Sequence, residues 1–200
     1  VAGERLADTA IASLLAFLAS YFLFPHWESG QLQGYMANVL KANIHYLKKL
    51  KEILFGKKIT SLDYNLVRKE LFVSTANLSA ALHRMLSEPK SKQKHRKEIY
   101  EFVVLNHVLS SNIASLTASA VSKERPYSKE IIQPVKRTIT SLESDLSLLD
   151  TSYERTDSDE KDLPMLQNEK VISDHHMSEQ LDFIYKVSEK IDKLTKIIVA

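Results

Sequence analysis

Two residues near the amino end have the types and the spacing for charge chemistry in an apolar setting. Arg5 and Asp8 stand three positions apart, so on a helix they share one face and can pair. They sit at the start of an apolar run. Ionisable groups inside a membrane helix are costly and often mark a pathway or a proton relay. On that reading Asp8, partnered by Arg5, couples protons or holds an anionic substrate. The plainer reading is a structural pair that locks this helix against its neighbours. A second set, Asp174, His175, His176 and Glu179, supplies metal-ligand types. His175 and Glu179 are one helical turn apart, yet adjacent histidines point to different faces and no second histidine lies a turn away. A solvated helix start is therefore the expectation there, and no metal or cofactor is expected anywhere. No glycine-rich phosphate loop is present, and no serine sits in the glycine-rich elbow of a hydrolase. The sequence points away from an enzyme.

These residues have to be positioned by helices. Only 4 glycines and 5 prolines punctuate 200 residues, and long stretches free of both favour helices over sheets, which need many turns. The charge is nearly balanced, 27 basic against 25 acidic residues, so nothing in bulk composition argues for a nucleic-acid partner. There is no cysteine, which removes disulfides, thiol catalysis and thiolate metal sites.

The apolar run from Leu6 to Phe24 contains one charge, Asp8. Nineteen helical residues span about 28 Å, close to the roughly 30 Å of a bilayer core. Pro25 stops the run, and Trp27 with Tyr21 suits an interfacial belt. A signal peptide would begin with basic residues and end at small ones, unlike Glu4-Arg5 and Phe24-Pro25-His26-Trp27. Residues 1–27 are thus expected to form a last transmembrane helix in contact with membrane lipids. Lys41, Lys48, Lys49, Lys51, Lys57 and Lys58 follow it, with Glu52 the only acid between positions 29 and 62. Such an excess of lysine places the remainder in the cytoplasm. The chain starts at Val1 without Met, and is expected to be a fragment whose upstream transmembrane helices are missing.

The remainder reads as an antiparallel bundle of four to five helices over residues 28–150, an all-α fold. Apolar residues recur in steps of three and four at Leu32, Met36, Val39, Tyr46, Leu50 and Ile53, with Asn43 on the same face. Gly56 ends that helix, and Thr60 or Ser61 caps the next. Pro89 ends the second helix, and the basic stretch Lys90–Lys97 leads into a third that carries Ile99, Phe102, Leu105, Leu109, Ile113 and Leu116. That stretch is read as a solvated linker rather than a lipid-binding cluster. A fourth helix presents Ile131, Val135, Ile139, Leu142, Leu146 and Leu149 inward, with Pro134 in its first turn or at a kink. Residues 151–172 form an acidic segment too poor in aliphatic side chains to offset its ordering entropy. A nearly heptad helix over residues 173–200 packs on the bundle or on a partner chain. His107 is expected as a satisfied buried or boundary group. Asn43, Asn77 and Asn106 fall on or beside apolar faces and are expected to fix helix register.

Several motifs, taken in order, resemble a known family. Glu4-Arg5-Leu6-Ala7-Asp8-Thr9 precedes the apolar run, and Ala42-Asn43-Ile44-His45-Tyr46-Leu47 follows it. Then come Asn77-Leu78-Ser79-Ala80-Ala81-Leu82, Met85-Leu86-Ser87-Glu88-Pro89, Phe102-Val103-Val104-Leu105-Asn106-His107 and Ile113-Ala114-Ser115-Leu116-Thr117-Ala118. Together, over residues 4–122, they resemble the fusaric-acid-resistance-like (FUSC) family of bacterial inner-membrane proteins. The resemblance implies a longer protein with membrane-helix bundles and a cytoplasmic helical domain. It also implies efflux-type transport, with small aromatic or amphipathic carboxylic acids as the expected cargo, and a homo-oligomer. The alternative is a cytoplasmic assembly or regulatory module of a membrane protein that is not itself an exporter.

Overall fold

The structure is a computed structural model that describes residues 2–22, 28–122, 127–154 and 174–200. Among these, six α-helices account for nearly all the chain: α1 (Ala2–Phe22), α2 (Glu28–Leu54), α3 (Ser61–Leu86), α4 (Arg96–Val121), α5 (Lys129–Leu149) and α6 (His175–Val199). The all-α expectation is met. The transmembrane helix is not. No helix among the described residues is long and apolar enough to cross a membrane. The reason lies in where α1 becomes apolar. Arg5, Asp8 and Thr9 occupy its first turns, and within the described helix Ala10 to Phe22 is thirteen residues, or about 20 Å against the roughly 30 Å required. Pro25, Trp27 and most of the acidic segment 151–172 lie outside the described residues.

The helix ends follow local chemistry. Gly56, with φ of 87°, closes α2. Its N–H donates to the Ile53 carbonyl (2.8 Å) and the Lys57 N–H reaches back to Glu52 (3.0 Å), the paired bonds of a glycine cap. Thr60 opens α3 by accepting from the Asp63 N–H at 3.1 Å, and Asp174 does the same for Met177 at the head of α6. Pro134 lies inside α5, beyond the first turn, and leaves the exposed Glu130 carbonyl to water.

Helix α2 is the hub. It packs on α3, α4 and α5; α4 also packs on α3 and α6, and α5 on α6. The pairings of residues give the directions. Tyr35 meets Arg84 and His45 meets Glu70, so α2 and α3 are antiparallel. Asn43 meets Asn106 and Ser110, while Ile53 shares a groove with Ala120, so α2 and α4 are parallel. Arg137 lies near Tyr185, and Asp145 near Asp192, so α5 and α6 are parallel too. The expected antiparallel bundle therefore needs correction. The ring α2–α5–α6–α4 runs up, down, down, up, with α3 as the long crossover between the parallel α2 and α4. Parallel neighbours need such connections.

One continuous core fills the ring. It includes Tyr46, Leu47, Leu50, Leu78, Phe102, Leu109, Tyr127, Leu142, Leu146, Leu181 and Ile191, all at most 1% exposed. Tyr127 anchors the α4–α5 connection, its N–H donating to the Leu54 carbonyl at 2.8 Å. By contrast α1 is exposed over residues 3–18: Leu6, Ile11, Leu14, Leu15, Phe17 and Leu18 are 40–73% accessible.

Candidate functional site

Arg5 and Asp8 lie together on the exposed α1. No ion pair joins their side chains among the described residues; the Arg5 carbonyl accepts from Thr9 Oγ1 at 2.8 Å. His175 and Glu179 pair at 3.2 Å in open solvent, 90% and 64% exposed, as a solvated helix start would. No group of three or more potential metal ligands occurs among the described residues. The Lys90–Lys97 stretch is a 3-10 turn and an exposed link, fastened where the Gln93 side-chain amide donates to the Leu86 and Glu88 carbonyls (3.2 and 2.6 Å). His95 takes a left-handed conformation there, φ 48°.

The asparagines divide. Asn43 and Asn106 are fully buried. The Asn43 amide donates to Asn106 Oδ1 (2.9 Å) and to the Val39 carbonyl (3.0 Å), and its oxygen accepts from Ser110 Oγ (3.1 Å). This node bolts α2 to α4 at one register, because any slip leaves buried polar groups unpaired. Asn77 instead faces a groove with Tyr35, Asn38, Lys41, Glu70 and Ser74, about 250 Å³ in volume. That is below the roughly 300 Å³ at which small-molecule sites begin. His107 is exposed rather than buried, and its Nε2 lies 2.8 Å from Ser79 Oγ. The serine–histidine pair is not a nucleophile with its base. Ser79 Oγ–H is spent on the Thr75 carbonyl at 2.9 Å, so the imidazole donates to the serine oxygen instead of accepting its proton.

The strongest electrostatic feature went unread in the sequence. Asp145 on α5 is completely buried, and neither carboxyl oxygen accepts a hydrogen bond; protonated, it can donate one to Asp192 of α6. Burial, then the neighbouring Asp192 carboxylate on α6, push its pKa up to about 8, against the pull of Lys196. Lys196 is itself held by Asp192 at 2.7 Å. Two residues earlier on the same helix, and so on another side of it, Glu143 is also buried and is neutralised by Lys48 of α2 at 3.1 Å. The signal was present: Asp145 is three residues past Leu142 and four before Leu149, on the apolar face itself. The site can hold a proton near neutral pH.

With this geometry in view, comparison with known proteins adds one decisive observation. Over 118 residues the chain is 28% identical to the inner membrane protein YccS of Escherichia coli, covering 59% of this chain and 16% of YccS. It is similar to an inner-membrane protein. An uncharacterized protein of Haemophilus influenzae is 29% identical over 57% of this chain and 16% of its own length. A further uncharacterized protein, from Neisseria gonorrhoeae, is 34% identical over 42% of this chain and 21% of its own length. The chain thus spans about a sixth to a fifth of the length of these relatives. No family model and no solved structure matches it.

Proposed function

We propose that the chain is part of an inner-membrane protein of the YccS kind, within the FUSC family, and that α2–α6 serve there as an assembly or regulatory module. The observation that carries this reading is the filled interior. One core of side chains runs through all five helices, and its buried Asn43 joins α2 to Asn106 and Ser110 of α4. A scaffold needs such a core; a substrate path needs a cavity. The similarity to YccS supports the membrane setting. Export of small aromatic or amphipathic carboxylic acids is the finer expectation that the family resemblance brings. In that reading the bundle acts on export indirectly.

The test compares the full-length parent with a version lacking residues 28–200, in an efflux-deficient host. Native gels of detergent-extracted membranes report assembly, and survival against a panel of aromatic acids reports export. The assembly reading expects the truncated protein to reach the membrane but lose its oligomer. An intact oligomer with protection abolished would sink it in favour of a direct role in export.

A further inference from the structure

Helix α3 has two apolar stripes, and the core uses only one. Val67, Leu71, Leu78, Ala81, Leu82 and Met85 face inward and are buried. On the opposite side Leu62, Leu66, Lys69, Val73, Ala76 and Ala80 are all exposed and recur in steps of four, three, four, three and four. That is the spacing of a coiled-coil seam. Leu62 and Leu66 are 68% and 55% accessible, Val73 49%, and the flanking Phe72 46%. The seam is about 27 Å long at 1.5 Å per residue.

The seam is graded. Its first half carries leucines, its second half alanines, so it is poorly complementary to a parallel copy of itself: leucine on leucine would hold the axes apart at one end, and alanine on alanine would leave a gap at the other. It is complementary to an antiparallel copy. We propose that α3 pairs antiparallel with α3 of a second copy of this chain, about a two-fold axis level with Leu71. Leu62 then lies on Ala80 of the second copy, Leu66 on Ala76 and Lys69 beside Val73, and the mirror contacts follow from the symmetry. Lys69 lies near the axis, and Glu70 of each copy is held by His45 of its own chain at 2.8 Å. The two Phe72 rings meet beside the axis, each already covered on one side by the Arg68 guanidinium 5.5 Å from its centre. This pairing deepens the assembly reading by naming the partner as a second copy, and rests on that reading for its role in the parent protein.

The absence of cysteine makes the register directly testable. In the 200-residue chain carrying both Leu66→Cys and Ala76→Cys, the two sulfurs of one helix are about 15 Å apart, too far to bridge within a copy. Mild oxidation is expected to give a covalent dimer from the double variant and none from either single variant. Sedimentation equilibrium of the unmodified chain is expected to give twice its 22.8 kDa, and Leu66→Asp to return it to one. Leu66 is exposed, so unchanged helical circular dichroism shows that the variant still folds. A monomeric unmodified chain overturns the pairing, as does a dimer that survives Leu66→Asp. Cross-linking by each single variant would indicate parallel helices and overturn it as well. A monomeric chain would leave the native-gel test of assembly standing on its own result.

Discussion

Replacing Asp145 by Asn should make the protein more stable, and increasingly so as pH rises. The carboxyl is fully buried and its pKa rises from 3.8 to about 8 on folding. Between those values the folded chain keeps a proton that the unfolded chain has lost. Stability therefore falls as pH rises through this window, and is level below about pH 4 and again above about pH 8. Each pH unit of that displacement is worth about 1.4 kcal/mol, so the cost at alkaline pH has a ceiling of about 6 kcal/mol. Water reaching the Asp192–Lys196 edge, where Lys196 is 59% exposed, lowers what is realised to about 2–3 kcal/mol. An asparagine has nearly the shape of the protonated acid and offers an N–H to Asp192, but does not titrate. The other ionisable groups facing this position, Asp192 and Lys196 on α6, are the same in both proteins. Their contribution largely cancels in the difference. Urea denaturation followed by circular dichroism at about pH 4 and about pH 9 is the assay. The variant should match the parent within about 1 kcal/mol at the lower pH and exceed it by about 2–3 kcal/mol at the higher one. A difference that is the same at both values refutes the reasoning, because it would mean that Asp145 binds its proton no more tightly folded than unfolded.

Asn43 is the hub of the α2–α4 node, so Asn43→Ala should cost about 2–4 kcal/mol, leaving Asn106 Oδ1 and Ser110 Oγ buried without partners. Asn106→Leu should cost less, since the Asn106 amide nitrogen has no partner to lose; the reverse order in urea titrations would refute the hub. Thr60→Ala should lower stability by about 1 kcal/mol through loss of the cap on Asp63, whereas Thr60→Ser should hold it, and equal losses would mean the hydroxyl bond is idle. Leu78→Ala, at a fully buried position between α3 and the core, should cost about 2–5 kcal/mol; a loss under about 1 kcal/mol would show that α3 is only loosely docked.

Much of this arrangement is written in short-range patterns, because those patterns are what a helix obeys. Spacing of three and four fixed which side of α2, α4, α5 and α6 would be buried, and Gly56 and Thr60 marked their helix ends by a backbone angle and a hydroxyl. Direction was a different matter. Helices joined by short links run antiparallel by default, and α2–α3 does. But α3 also acts as the crossover that makes α2 and α4 parallel, and no local pattern states which two non-adjacent helices will touch. The same limit hid Asp145: a carboxylate among leucines reads as a polar interruption until α6 is seen to bring Asp192 and Lys196 alongside it.

The α1 expectation failed for a reason of the same kind. Its composition resembles a membrane helix, but composition averages over the residues that decide the matter. Arg5, Asp8 and Thr9 take up the first turns, so the apolar length left is two thirds of what a bilayer requires. On α3 the sequence pattern merges two faces. Leu62, Leu66, Leu71, Leu78, Leu82 and Met85 read as one apolar line, when Leu71, Leu78, Leu82 and Met85 are buried and Leu62 and Leu66 are not. One stripe folds the chain. The other, with its leucines at one end and alanines at the other, has the grading that a second copy of the same helix fits when reversed, and that grading becomes legible only once burial has separated the two faces.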